Sequence, residues 1–236
     1  MSTERSPYGR EIHYWHSDFT LDFLCELPLA SARGALPAGV EPVEVRPGVA
    51  LISLSLTAFE PGNVGYLPRF GEATCSVIVQ PDLSGDAAPD FAMGVVRITS
   101  DSPQFLRWAR HKDKMPVYRG RDVLVCFERD RLGGHAADAE GPIFALCNTH
   151  PAPRYEDEVF EVQVFTEADG ARWQVPTRWA GRAFRHQRAG ATVQIHDHPM
   201  LAPLRLGTRA LRCHTQMMTP PRSSVVMSFE EPIRLR

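Results

Sequence analysis

Lys112 and Lys114 are the only lysines in the chain; the other 24 of its 26 basic residues are arginine. A neutral amine can attack a carbonyl carbon, and arginine cannot shed the proton it would need to lose. Two lysines one residue apart therefore mark a candidate for amine chemistry on a carbonyl compound. The plainer reading is electrostatic, because cations are favoured at the C-terminal end of a helix. A second constellation is His196-Asp197-His198. On a strand, residues two apart share a face, so the two imidazoles can begin a metal site. His13, His16, His150 or His214 would have to complete it. Spacing places only two ligands, so no metal and no other cofactor is expected. Asp197 and His198 also read as a hydrogen-bonded pair or as a base with its orienter.

Other chemistries find little support. The sequence carries no Gly-x-Ser-x-Gly elbow, no P-loop and no Gly-x-Gly-x-x-Gly turn. Cys25, Cys75, Cys126, Cys147 and Cys213 form no Cys-x-x-Cys pair and lie mostly in apolar stretches, which reads as core in a reduced, cytoplasmic protein. The stretch around Arg178-Trp179 and Arg182–Arg188 could hold a carboxylate, but a solvated face explains it as well. A formal net charge of −2 gives no broad basic field for nucleic acid. No apolar run approaches the ~18 residues that would span a membrane, so no membrane partner is expected. Residues 1–10 are polar, lack the apolar core of a signal peptide, and read as a flexible arm.

The lysines close a helix. Asp101 or Ser102 can cap it, Pro103 suits its first position, and Phe105, Leu106 and Ala109 recur at helical spacing. The helix must end before Pro116, since the residue ahead of a proline is pushed from the α region. Elsewhere the pattern is short strands: 11–23, 48–56, 69–79, 91–99, 122–129, 143–147, 159–165, 172–175, 192–196, 210–214 and 224–229. Leu27–Val40 reads as a short helix with a Pro/Gly turn. Turns are expected at Pro61-Gly62-Asn63, Gly133-Gly134 and Ala168-Asp169-Gly170, the last a hairpin signal. Many strands with few helices predict a mostly β, α+β fold of curved antiparallel sheets, closed or cone-like around a pocket, in a single domain over 11–236.

Four stretches resemble the acetoacetate decarboxylase superfamily. Val193–Leu204, containing Asp197-His198-Pro199-Met200-Leu201-Ala202-Pro203-Leu204, resembles the family's Asp-His-x-Met-Ala-Pro-Leu segment with one extra residue. Ala35-Leu36-Pro37-Ala38-Gly39-Val40 resembles its early Leu-Pro turn. The unit from Phe91 to Met115 resembles its strand, Pro-started helix and lysines. Glu72 falls where the family carries an active-site glutamate. Together these cover about residues 33–232, in consistent order.

The resemblance implies the acetoacetate decarboxylase-like fold, a homo-oligomer, and an enzyme acting on a small oxo-acid or polyketide-like carbonyl substrate by decarboxylation or a related Schiff-base lyase, aldol or dehydration step. Lys114 would be the amine, Lys112 its cationic neighbour and Glu72 the acid/base or carboxylate-repelling group. Tyr14, His16, Arg97, Tyr118 and His198 are the expected substrate contacts. The stretch departs from the family's Pro-Lys-Lys motif: aligned without gaps from Asp101-Ser102-Pro103, Pro116 stands where the Schiff-base lysine would be. Pro116-Val117-Tyr118 resembles lysine-free members of the superfamily. Lysine-independent acid/base cyclisation or dehydration, and small-molecule binding without catalysis, are the alternatives.

Overall fold

The computed structural model describes residues 10–63, 67–82, 89–148, 155–187, 191–219 and 225–235. The arm expected over residues 1–10 lies outside them except for Arg10, which is tied to Glu230 at 2.9 Å. The element order is β1 (Ile12–Pro28), α1 (Leu29–Ala35), β2 (Val49–Phe59), β3 (Phe70–Val79), β4 (Phe91–Ser100), α2 (Pro103–His111), β5 (Leu124–Glu128), β6 (Gly133–Asp138) and β7 (Gly141–Asn148). It continues with β8 (Glu156–Ala168), β9 (Ala171–Gln187), β10 (Ala191–Ile195), β11 (Arg209–Leu211), β12 (Cys213–Met218), β13 (Val225–Glu230) and β14 (Ile233–Arg234).

Seven strands close a barrel in the order β1, β2, β3, β4, β8, β9, β13 and back to β1. All of its pairings are antiparallel except β4 with β8, which run parallel from Phe91 opposite Val162. A second sheet, β11-β10-β7-β6-β5, packs against the outside. The strand alternation explains both layers. In β2, Ile52, Leu54 and Leu56 face the second sheet and join its core with Phe144 and Ile195, while Ser53, Ser55 and Thr57 face the barrel interior. The interior has its own apolar cluster, including Trp15, Phe59, Phe105 and Trp179.

The turn at Asp169-Gly170 forms as expected. Both residues have positive φ, 53° and 70°, the requirement of a tight two-residue hairpin. The Gly133-Gly134 turn does not. The chain turns at Arg129–Leu132, and the two glycines open β6. Gly134 is needed for space: a Cβ there would lie 2.5 Å from the Cys126 carbonyl oxygen and 2.9 Å from Leu56 Cδ1. This is where the outer sheet meets β2. Gly134→Ala is therefore expected to destabilise the fold by about 2 kcal/mol, the scale of an overpacked core. Chemical denaturation would read this directly, and an unchanged midpoint would show that the two sheets separate more easily than the packing implies.

Helix α2 follows its sequence signals. Ser102 Oγ accepts from the Phe105 backbone N–H at 3.2 Å, Pro103 sits in the first turn, and Phe105, Leu106 and Ala109 are buried. Lys112 is its C-cap. The chain then unwinds, with Met115 N–H donating to Ala109 O at 2.9 Å and Lys114 at a φ of 55°.

Candidate active site

The barrel interior holds a cavity of about 150 Å³. Its two walls differ. Phe91, Met93, Val95, Val162, Val164 and Trp179, from β4, β8 and β9, make an apolar wall. Facing it, three adjacent strands present a polar wall in successive rungs. Thr20 of β1 lies opposite Thr57, and Thr57 opposite Glu72. Asp22 lies opposite Ser55, and Ser55 opposite Thr74; Ser53 lies opposite Ser76. A bulge in β1 makes this possible. Its register shifts between Ser17 and Phe19, so the cavity face passes from odd residues at Trp15 to even residues at Thr20 and Asp22. The extra residue, Asp18, is buried and held by Arg129 at 2.9 Å and Arg69 at 2.8 Å.

At the α2 end of the cavity, Asp113 joins Glu72. Both line the cavity, as do Met115 and Ala109. Burial pushes the Glu72 carboxyl up to about 7, against a hydrogen bond from Thr74 Oγ1 at 2.6 Å. Asp113 is pushed up to about 8, first by burial and then by the Glu72 carboxyl. Trp108 and Lys112 favour its charged form, the indole from outside hydrogen-bond geometry. Asp22, further along the polar wall, is pushed up to about 6 by burial, with Ser53 Oγ donating to it at 2.8 Å and pulling it back. Glu72 and Asp22 keep partial accessibility because they border the cavity, although bulk solvent is far enough away to disfavour their charge.

Two comparisons, with protein-family models and with curated proteins, find no match to this sequence. Solved structures do match. An acetoacetate decarboxylase-like enzyme from Sphingomonas wittichii RW1 is 12% identical, with a TM-score of 0.60 over 98% of this chain and 97% of its own. The acetoacetate decarboxylase of Legionella pneumophila subsp. pneumophila str. Philadelphia 1 is 12% identical, with a TM-score of 0.62 over 94% and 87%. The enduracididine biosynthesis enzyme MppR, complexed with pyruvate, is 13% identical, with a TM-score of 0.60 over 98% and 95%. The chain has the acetoacetate decarboxylase-like fold.

Within this acetoacetate decarboxylase-like barrel, Glu72 is the one residue of the sequence-derived site that borders the cavity. Lys114 does not. Asp113 and Met115 turn inward on either side of it, and its Nζ lies 3.7 Å from Asp169 and 5.2 Å from the centre of the Trp173 ring. Lys112 is exposed at the helix end. Tyr14 and His16 flank Trp15, which takes the inward position on β1. Arg97 donates to the Val96 carbonyl at 3.0 Å and lies outside the cavity lining.

Tyr118 and His198 belong to a separate group gathered around Asp138 of the outer sheet. Tyr118 donates to Asp138 at 3.1 Å, and His198 Nε2 lies 2.9 Å from the same carboxyl. His198 Nδ1 accepts from the Met200 backbone N–H, so Nε2 carries the proton and donates to Asp138. Burial alone would raise the Asp138 carboxyl, but the hydrogen bonds from His198, the Glu140 backbone and Tyr118 outweigh it and hold it low. The histidine's partner is thus Asp138 of β6 and not its neighbour Asp197, whose backbone N–H donates to Thr208. This group pins the 198–204 turn to the sheet. Among the described residues no three His, Cys, Asp or Glu side chains gather as a metal site, and His150 lies outside those residues. No helix among them is long and apolar enough to cross a membrane.

Asp113, Asp22 and the β2 hydroxyls escaped the sequence reading. Asp113 lies between the two lysines that drew attention, and only the unwinding after α2 decides which of the three turns inward. Asp22 and the hydroxyls of β2 look like the wet face of an open sheet. Closure of the barrel makes that face the interior.

Proposed function

We propose that the protein is an enzyme that moves protons on a small carbonyl compound, using Glu72 and Asp113 as an acid/base pair and no Schiff base. The observation that carries this is two cavity-facing carboxyls that burial, and at Asp113 also the neighbouring Glu72 charge, hold at about 7 and about 8. Such a pair holds one proton between two groups, so near pH 7 one carboxyl can donate to a carbonyl oxygen while the other removes an α-proton. The product is an enol or enolate, the common intermediate of dehydration and cyclisation. The apolar wall strengthens this electrostatic chemistry by excluding water. Acetoacetate and pyruvate, named for the structural neighbours, belong to the same carbonyl class. The amine route has no support in the position of Lys114, which is drawn to Asp169 and Trp173.

The test is α-proton exchange. Incubation of neutral ketones such as cyclohexanone or acetylacetone in D₂O should show enzyme-dependent deuterium uptake by NMR. Borohydride treatment with acetoacetate or acetopyruvate should leave no adduct on the Lys114 peptide. An adduct there would restore the Schiff-base mechanism. Saturable ketone binding with no exchange would point instead to a non-catalytic binding protein on this fold.

A further inference from the structure

The polar wall extends well beyond the acid/base pair. Glu72 and Ser76 are four residues apart on β3, ~13 Å at ~3.3 Å per residue. A reacting carbonyl at Glu72 leaves the Asp22, Ser53 and Ser76 end of the wall unused. That end has spare hydrogen-bonding capacity. Ser76 Oγ is buried, lines the cavity, and has no hydrogen-bond partner among the described residues. Ser76 is 1% exposed. A buried hydroxyl without a partner is costly, and here it borders open space. Asp22, already bonded to Ser53, offers a second oxygen.

Resting on the acid/base reading above, we propose that Asp22, Ser53 and Ser76 form an oxygen-binding subsite, and that the substrate is a neutral single-ring carbonyl compound carrying a hydroxyl remote from the reacting carbonyl. Three features converge on this class. A cavity of about 150 Å³ is the size that encloses a benzene-like ring. The apolar wall faces the polar one across it and suits the flat face of a ring. The polar wall donates from hydroxyls and carries carboxyls that resist ionisation, so it favours a neutral polar group over an anion.

The matched probes are cyclohexanone and 4-hydroxycyclohexanone, with binding followed by calorimetry and by the fluorescence of the cavity residues Trp15 and Trp179. The hydroxylated ketone should bind about five- to tenfold more tightly, the range of one buried hydrogen bond. Ser76→Ala should narrow that ratio by weakening binding of the hydroxylated ketone. Glu72→Gln should keep the ratio, because the subsite does not depend on the acid/base pair. Equal affinity for the two ketones overturns the proposal, as does failure of both to bind at millimolar concentration, or a preference that survives Ser76→Ala. If the preference holds and no α-proton exchange occurs, the subsite stands and the catalytic reading falls. Exchange on both ketones without preference has the opposite meaning.

Discussion

Glu72→Gln should slow α-proton exchange by about 10²- to 10⁴-fold, the range contributed by a positioned general acid or base. Glutamine matches the shape of protonated glutamate and can keep its hydrogen bonds, so ketone affinity should change by no more than about threefold. Asp113→Asn should act in the same direction. Lys114→Arg should exchange at the wild-type rate, since its ammonium is held by Asp169 outside the cavity. The pH profile adds a second readout. The pair should give a bell whose two limbs belong to the coupled carboxyls, centred in the region between about 7 and about 8. A Glu72→Gln enzyme within threefold of wild type, or a Lys114→Arg enzyme that is inactive, would exclude the proposed division of roles.

The contrast between Glu72 and Lys114 shows how far the sequence reaches. Helix α2 is legible because its signals are local: a cap at Ser102, a proline at the first turn, and apolar residues at helical spacing. Most strands are legible for the same reason, and the order of the family-like stretches points to the fold. β6 is missed because its opening glycines resemble a turn, when their role is to let the outer sheet approach Leu56. Facing is a harder matter. Alternation divides a strand into two faces without saying which is interior, and in a closed barrel with a second sheet outside, both are covered. Ser53, Ser55 and Thr57 look solvated and are interior. The bulge at Asp18 reverses the assignment within one strand. After α2 the chain follows neither helical nor strand periodicity, and a single left-handed residue, Lys114, turns Asp113 into the cavity and leaves the amine outside. Such a choice depends on the surrounding walls, not on the residues beside it.

The same three carboxyls predict an unusual dependence of stability on pH. Asp22, Glu72 and Asp113 are all harder to ionise in the fold than in the unfolded chain, with values of about 6, 7 and 8. Below pH 4 both states keep the protons and the folded state has the full benefit of the neutral groups. As pH rises past the unfolded values, the unfolded chain sheds protons that the fold retains, so each further unit favours unfolding. The benefit is lost as pH passes through the folded values, last of all at Asp113. Below about pH 4 the opposite group acts, because Asp138 is held low by its hydrogen bonds and its contribution disappears as it protonates. Stability should therefore peak near pH 4 and fall by on the order of 6 kcal/mol between pH 5.5 and 8.5. Asparagine reproduces the neutral form of Asp113 at every pH. Asp113→Asn should match wild type only below about pH 4, already exceed it at pH 5.5 and exceed it by more at pH 8.5, a gain in stability from the loss of a group assigned to catalysis. Urea denaturation of both proteins at the two pH values measures this. A wild-type midpoint that is flat or rising across the interval would mean that these carboxyls ionise freely in the fold, and the acid/base pair would lose its physical basis.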